Sequence, residues 1–313
     1  MFQMMGVLIA SAAIWSSVAS IGPGDLAAPL SVDHWVQIDG LDPRGGFEPI
    51  GPMDNGSVYL IDFWATWCAP CVADMDKLSA FAEEHREKGL VVVAATEESL
   101  PHVVRFLRRG AGEKRTQFDR CRVNIASDPD RSTLLALVPE EFRQVRPFAV
   151  VVGRDGRIEW MGASAVEAKQ ATAAVLAGKW DRATFANQWR TQLEDQREEA
   201  RILREEDWVA AEKRFWGNAT VLARFTFANG FNFGGMLKKR DLNIAEQMGT
   251  RAVELTSEKD GYALTALAKV KAELGKSVES TALQQKAVEL EGDGANAAFY
   301  RELLEAYRKA APG

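Results

Sequence analysis

Apolar positions cluster in short runs separated by helical spacing along the first half of the chain. Val58 to Phe63 is apolar except at Asp62, which predicts a strand buried on both faces. From Val72 the spacing becomes helical, with Met75, Leu78, Phe81 and Ala82 on one face and Gly89 as the stop. Gly89 to Ala95 predicts a second buried strand, so the order strand–helix–strand predicts a parallel βαβ unit. Further strand runs are Val123 to Ala126, Phe148 to Val152 and Ile158 to Met161, the last two joined by the turn Arg154-Asp-Gly-Arg157. Ser164 to Leu176 is alanine-rich and helical, and Gly178 ends it.

The pattern then changes. Lys179 to Trp216 contains neither Gly nor Pro and is dominated by Glu, Arg and Gln, with Trp189, Leu193, Leu203 and Trp208 as anchors. One or two helices with a solvated face are expected there. Gly217 to Gly235 places Phe225, Phe227, Phe231 and Phe233 among small residues, and an irregular packing loop is expected. From Asp241 the texture repeats: Arg251-Ala-Val-Glu-Leu255 returns as Lys286-Ala-Val-Glu-Leu290, 35 residues later. Each copy ends a predicted helix and is followed by another, over Tyr262–Leu274 and Ala297–Tyr307. Paired helices near this period resemble tetratricopeptide repeats, in which stacked helix pairs offer a surface to a peptide or protein.

A chain of 313 residues is too long for one small α/β fold, so two domains are expected. Hydrophobic content of 47% and charged content of 26% fit ordinary globular material. A net charge of −6 gives no footprint for nucleic acid. Gly6 to Trp15 is an apolar leader, and Ser17-Val-Ala19 has the small-x-small form of a cleavage site, so residues 1–20 read as a secretory signal peptide. The alternatives are an uncleaved anchor, although the stretch is short of the ~20 residues that span a bilayer, and a cytoplasmic start with a misassigned first Met. Export, to a bacterial periplasm or cell envelope, is the expectation. Ile21 to Ser57, rich in Gly, Pro and Asp, should form loops with short edge strands.

The chemistry lies where the first strand run ends, at Cys68-Ala69-Pro70-Cys71. Two thiols at this spacing, at the start of a helix, can open and close a disulfide. Unpaired N–H groups and the dipole of the helix N-terminus favour a thiolate on the first sulfur. That thiolate attacks a partner's disulfide and the second thiol resolves the mixed species. Half a zinc site has the same spacing, but the second half is missing: Cys121 lies fifty residues on, and His34, His85 and His102 show no ligand spacing. A purely structural bridge is disfavoured because so short a loop constrains the unfolded chain little. Cys121 reads as a buried thiol, with a third redox thiol as the alternative.

Phe63-Trp-Ala-Thr-Trp-Cys-Ala-Pro-Cys71 resembles the active-site signature of thioredoxin-fold proteins, nearest to the exported TlpA/ResA-like branch. The resemblance runs from about Trp35 to Trp180 and implies a central mixed sheet flanked by helices. It implies that Asp62, six residues before Cys68, is a buried acid of raised pKa that accepts the Cys71 proton. It also implies a cis-proline opposite the cysteines at Pro147, with Arg146 before it lending backbone groups to the substrate. Arginine departs from the small or apolar residues more usual there and points to an acidic or carboxylate-bearing partner. Trp67 would cover the sulfur, Trp64 would fill the core, and Trp67, Ala69, Pro70, Arg146 and Pro147 would together form the substrate groove.

The expected organisation is a signal peptide (1–20), a linker (21–34), a thioredoxin-like α/β domain (35–180), a helical connector (181–240) and an all-α tetratricopeptide-like region (241–310). The expected function is thiol–disulfide oxidoreduction, reducing disulfides of exported proteins with Cys68 as nucleophile, Cys71 as resolving thiol and Asp62 in proton transfer. It requires no cofactor or metal, a disulfide- or thiol-containing protein substrate, and an electron-donor protein. One alternative is an adaptor whose repeats bind a partner while the first domain merely presents a surface. The other is a thiol peroxidase, whose P-x-x-x-T-x-x-C arrangement Thr66 and Trp67 do not reproduce.

Overall fold

The apolar runs pair as their composition requires. In a computed structural model of the protein, which describes residues 20–36, 50, 52, 53, 56–109 and 116–310, they form a single sheet. Its strands are β1 (His34–Trp35), β2 (Val58–Phe63), β3 (Leu90–Thr96), β4 (Asn124–Ser127), β5 (Phe148–Val152) and β6 (Ile158–Gly162), in the order β1-β4-β3-β2-β5-β6. β2, β3 and β4 are parallel, while β5 runs antiparallel to β2, and β1 and β6 are antiparallel edges. Central β2 is covered on both faces, which is why its sequence shows an apolar run rather than alternation.

Helix α1 (Ala69–His85) connects β2 to β3, and α2 (Leu100–Leu107), α3 (Gln117–Arg120) and α4 (Ser132–Leu137) flank the β3–β4 and β4–β5 connections. Helix α5 (Ala165–Leu176) follows β6. One core gathers Val58 and Leu60 of β2, Val92 and Ala94 of β3, Met75 and Leu78 of α1, Val103 and Leu107 of α2, and Ala168 and Ala171 of α5. Each fully buried Leu or Val there contributes about 1.5–3 kcal/mol. Strand alternation places Asp62 on the face of Val58 and Leu60, the face that α1 and α5 cover.

The chain divides into two compact units, Met1–Thr191 and Gln192–Gly313, and the division falls inside helix α6 (Arg182–Glu205). The second unit is helical: α7 (Trp208–Phe215), α8 (Ala219–Phe231), α9 (Leu242–Leu255), α10 (Gly261–Glu273), α11 (Ser277–Glu291) and α12 (Ala297–Ala310). The two Ala-Val-Glu-Leu copies lie at the ends of α9 and α11, and α10 and α12 are the helices that follow them. The expected packing loop over 217–235 is instead mostly α8. Asn218 caps it by accepting the Val221 N–H at 3.1 Å, and Asn232, at φ +37°, ends it. Phe227 and Phe231, four apart on that helix, stack at 4.2 Å between ring centroids, so the aromatic spacing was helical. Core residues of this unit include Ile202, Trp208, Phe215, Leu222, Phe225, Met248, Leu264 and Tyr300.

Of the expected signal peptide, residues 1–19 lie outside the described residues. Among the described residues no helix is long and apolar enough to cross a membrane.

Candidate active site

β2 ends at Phe63, and the chain turns through 64–67 before α1 begins, with Cys68 as the N-cap residue. The Cys68 N–H donates to the Ala65 carbonyl at 3.0 Å, and the Val72 N–H donates to the Cys68 carbonyl at 3.0 Å. Pro70 sits in the first turn, where its missing N–H leaves no helical bond unmade. Cys68 and Cys71 form a disulfide with 5.3 Å between Cα atoms. The Cys71 N–H donates to Cys68 Sγ at 3.2 Å. After reduction the same first-turn N–H is placed to stabilise a Cys68 thiolate, with the helix dipole adding to it.

Both sulfur-bearing residues are buried, Cys68 being 3% exposed, while Ala69 and Pro70 at the helix start are exposed. Trp67 is 67% exposed, so its ring stands out in solvent beside the disulfide. Trp64 is buried and meets Phe106 at 5.8 Å between ring centroids.

Asp62 lies on central β2, one residue before its end, and is only partly exposed. Desolvation pushes its carboxyl up to about 7; neighbouring Asp74 adds to the rise, and Lys169 and Arg146 oppose it. Asp74 on α1 and Lys169 on α5 form an ion pair at 2.5 Å, mostly buried, which ties the cysteine-bearing helix to the last helix of the domain. An acid with a pKa near neutrality is suited to take and return a proton at physiological pH.

Pro147 directly precedes β5, whose Phe148 is in register with Phe63 of β2. The register therefore puts Pro147 at the same sheet end as the cysteine loop. The Arg146–Pro147 bond is cis. Arg146 corrects one expectation. Its side chain is 3% exposed and turned inward, with Nη2 at 3.6 Å from Glu97 Oε1 and Nη1 donating to the carbonyls of Val145 at 2.7 Å and Arg143 at 3.1 Å. What Arg146 leaves at the surface is main chain, so the guanidinium is not offered to an acidic partner. A buried cation needs a counter-charge and acceptors: Glu97 supplies the charge and the two carbonyls accept from Nη1, while Nε is left without a hydrogen-bond partner among the described residues.

Cys121 is buried in the same core cluster as Cys68 and Cys71, at the end of α3. Two residues that sequence reasoning missed also reach this region. Glu98 accepts from Thr66, two residues before Cys68, and Glu97 pairs with Arg146. The only sequence signal was a pair of acids directly after an apolar strand run.

Residues 53–176 match the Redoxin family model. Over 50 residues the chain is 39% identical to the thiol-disulfide oxidoreductase ResA of Oceanobacillus iheyensis, a stretch covering 16% of this chain and 26% of that protein. Among solved structures, the exposed lipoprotein thioredoxin Etrx1 of Streptococcus pneumoniae is 19% identical, with 40% of this chain and 87% of that chain covered and a TM-score of 0.32. The 2-Cys peroxiredoxin of Plasmodium vivax is 12% identical, with 50% and 97% covered and a TM-score of 0.39. The chain thus spans about a quarter of the length of the curated relative ResA. The Redoxin match takes in the cysteine pair and both strands that frame it, and over residues 53–176 the chain is similar to thioredoxin-like proteins of the ResA type.

Proposed function

We propose that this protein is a thiol–disulfide oxidoreductase that reduces disulfides of exported proteins through Cys68 and Cys71. The observation that carries the reading is a disulfide at a helix N-terminus, directly after the strand that bears the near-neutral acid Asp62. In the reduced protein the Cys68 thiolate attacks one sulfur of a target disulfide. A Cys68–target disulfide forms and the other target sulfur leaves as a thiolate, which takes up a proton. Asp62 then accepts the Cys71 proton, Cys71 attacks Cys68 Sγ, and the second target sulfur departs. Two electrons pass to the target, and the pair returns to its disulfide state. Asp62 releases its proton to the product side, and a donor protein must restore the dithiol.

The exposed rim of Trp67, Ala69 and Pro70, with the main chain at Arg146 and Pro147, is the surface that meets the target. The helical unit is proposed to engage a partner protein, and residues 1–20 to direct export. Prereduced protein should reduce the interchain disulfides of insulin, and Cys68→Ser protein should not. Equal activity in the two would sink the assignment. Peroxide consumption driven by a thiol reductant would favour the peroxidase alternative. Full cellular function of a Cys68→Ala, Cys71→Ala double variant would favour the adaptor.

A further inference from the structure

Two consecutive acids at the end of β3 reach both loops of the candidate site. β3 is the parallel neighbour of β2, with Phe63 in register with Ala95 and the Trp64 N–H donating to the Ala95 carbonyl at 3.0 Å. The chain beyond β3 therefore emerges beside the cysteine loop. There the Glu98 carboxylate takes both donors of Thr66, the N–H at 2.7 Å on one oxygen and Oγ1 at 2.7 Å on the other. Charge-assisted pairs of this kind are short and directional.

Glu98 is itself held. Its N–H donates to Thr96 Oγ1 at 3.3 Å, its carbonyl accepts from Ser127 Oγ at 2.8 Å, and both of those hydroxyl residues are buried. His102, one helical turn along on α2, adds its Nε2 at 3.1 Å from Thr66 Oγ1 and 3.4 Å from Glu98 Oε1. Glu97 turns to the other loop. It is 3.6 Å from buried Arg146 and 2.8 Å from Arg131 Nε, at the start of α4. Arg146 in turn binds the carbonyls of residues 143 and 145, so the turn before Pro147 is fastened to the same strand end.

We propose that Glu97 and Glu98 are positioning residues of a clasp that sets the spacing between the Cys68–Cys71 loop and the Pro147 loop, and so the groove that admits a protein disulfide. The proposal rests on the dithiol reading above. Neither acid touches sulfur; each acts through Thr66 or Arg146. The clasp makes a distinction that plain structural support does not. A folded protein target must lie across both loops, whereas a small aromatic disulfide needs only the Cys68 sulfur.

The test uses the full-length, prereduced protein in single-turnover reactions followed by tryptophan fluorescence. Insulin serves as the protein disulfide and 5,5′-dithiobis(2-nitrobenzoate) as the small one. Glu98→Ala removes both charge-assisted bonds to Thr66, along with the weaker one from Thr96 Oγ1 at 3.3 Å, and the half-saturating insulin concentration should rise about tenfold. The limiting rate and the small-disulfide rate should each move less than about twofold, because Cys68 and its helix are untouched. Glu98→Gln, which keeps an acceptor oxygen, should recover most of the insulin affinity. Thr66→Val, which loses one bond and keeps the Thr66 N–H contact, should give a smaller rise and supplies the test should Glu98→Ala not fold. Equal losses on both substrates, or no loss on insulin, would overturn the clasp. Wild-type protein inert towards both substrates would instead overturn the dithiol reading, and the clasp with it.

Discussion

Replacing Asp62 with Asn should make the protein more stable and slower at once. Burial holds the Asp62 carboxyl at a pKa of about 7 against an ordinary value of 3.8. The folded chain therefore binds this proton more tightly than the unfolded chain does. Below about pH 3.8 the acid is neutral in both states and imposes no penalty. As pH rises the unfolded chain ionises first, so stability falls progressively, and above about pH 7 the full penalty is present. At about 1.4 kcal/mol per pH unit the difference corresponds to about 4 kcal/mol. Asp62 keeps partial exposure, and solvent screening brings the expected gain to about 2–4 kcal/mol. The assay is urea unfolding of the oxidised protein at pH 4 and pH 9, with buried Trp64 among the fluorescent reporters. Asp62→Asn should match wild type at pH 4 and exceed it by that amount at pH 9. A constant offset at both pH values, or a less stable variant at pH 9, would refute the reasoning. In turnover the same substitution removes the proposed acceptor for the Cys71 proton and should slow resolution about 100-fold.

Other consequences follow from the same geometry. Lys169→Gln removes a cation that favours ionised Asp62, so the rise of turnover with pH should move to higher pH than in wild type. A pH profile placed as in wild type would break the link between these residues. Cys71→Ser should leave Cys68 able to attack but unable to be released, so mass spectrometry should find a mixed disulfide with the target at Cys68. In the helical unit, Phe225 is fully buried against Trp208 at 6.1 Å and Phe215 at 5.9 Å between ring centroids. Phe225→Ala should cost that unit about 3–5 kcal/mol, read as an earlier unfolding transition, and an unchanged transition would contradict the packing.

The strand–cysteine–helix–strand order was legible because each segment has a single strong pattern: a continuous apolar run, then helical spacing, then another apolar run. The sheet position of Asp62 followed from interrupting such a run. Helix α8 was not legible, since phenylalanine is a weak helix former and its small neighbours resemble a loop. Only packing of Phe225 against α7, and of Phe227 on Phe231, decides the matter. The direction of Arg146 was equally hidden, because it depends on Glu97 some fifty residues earlier in the chain. Glu98 reaches Thr66 across 32 residues for the same reason. Parallel pairing of β2 with β3 and antiparallel pairing of β2 with β5 bring those positions to one end of the sheet, and no local spacing records it.

The central claim is that Cys68 and Cys71 interconvert reversibly between dithiol and disulfide. It is tested most directly by equilibrating the protein across a series of thiol–disulfide buffers and counting alkylated Cys68 and Cys71 by mass spectrometry. One two-electron transition is expected, with the two cysteines changing together and the reduced-to-oxidised ratio moving tenfold for about every 30 mV. A pair that stays oxidised across the whole series, or cysteines that are alkylated independently of each other, would contradict it.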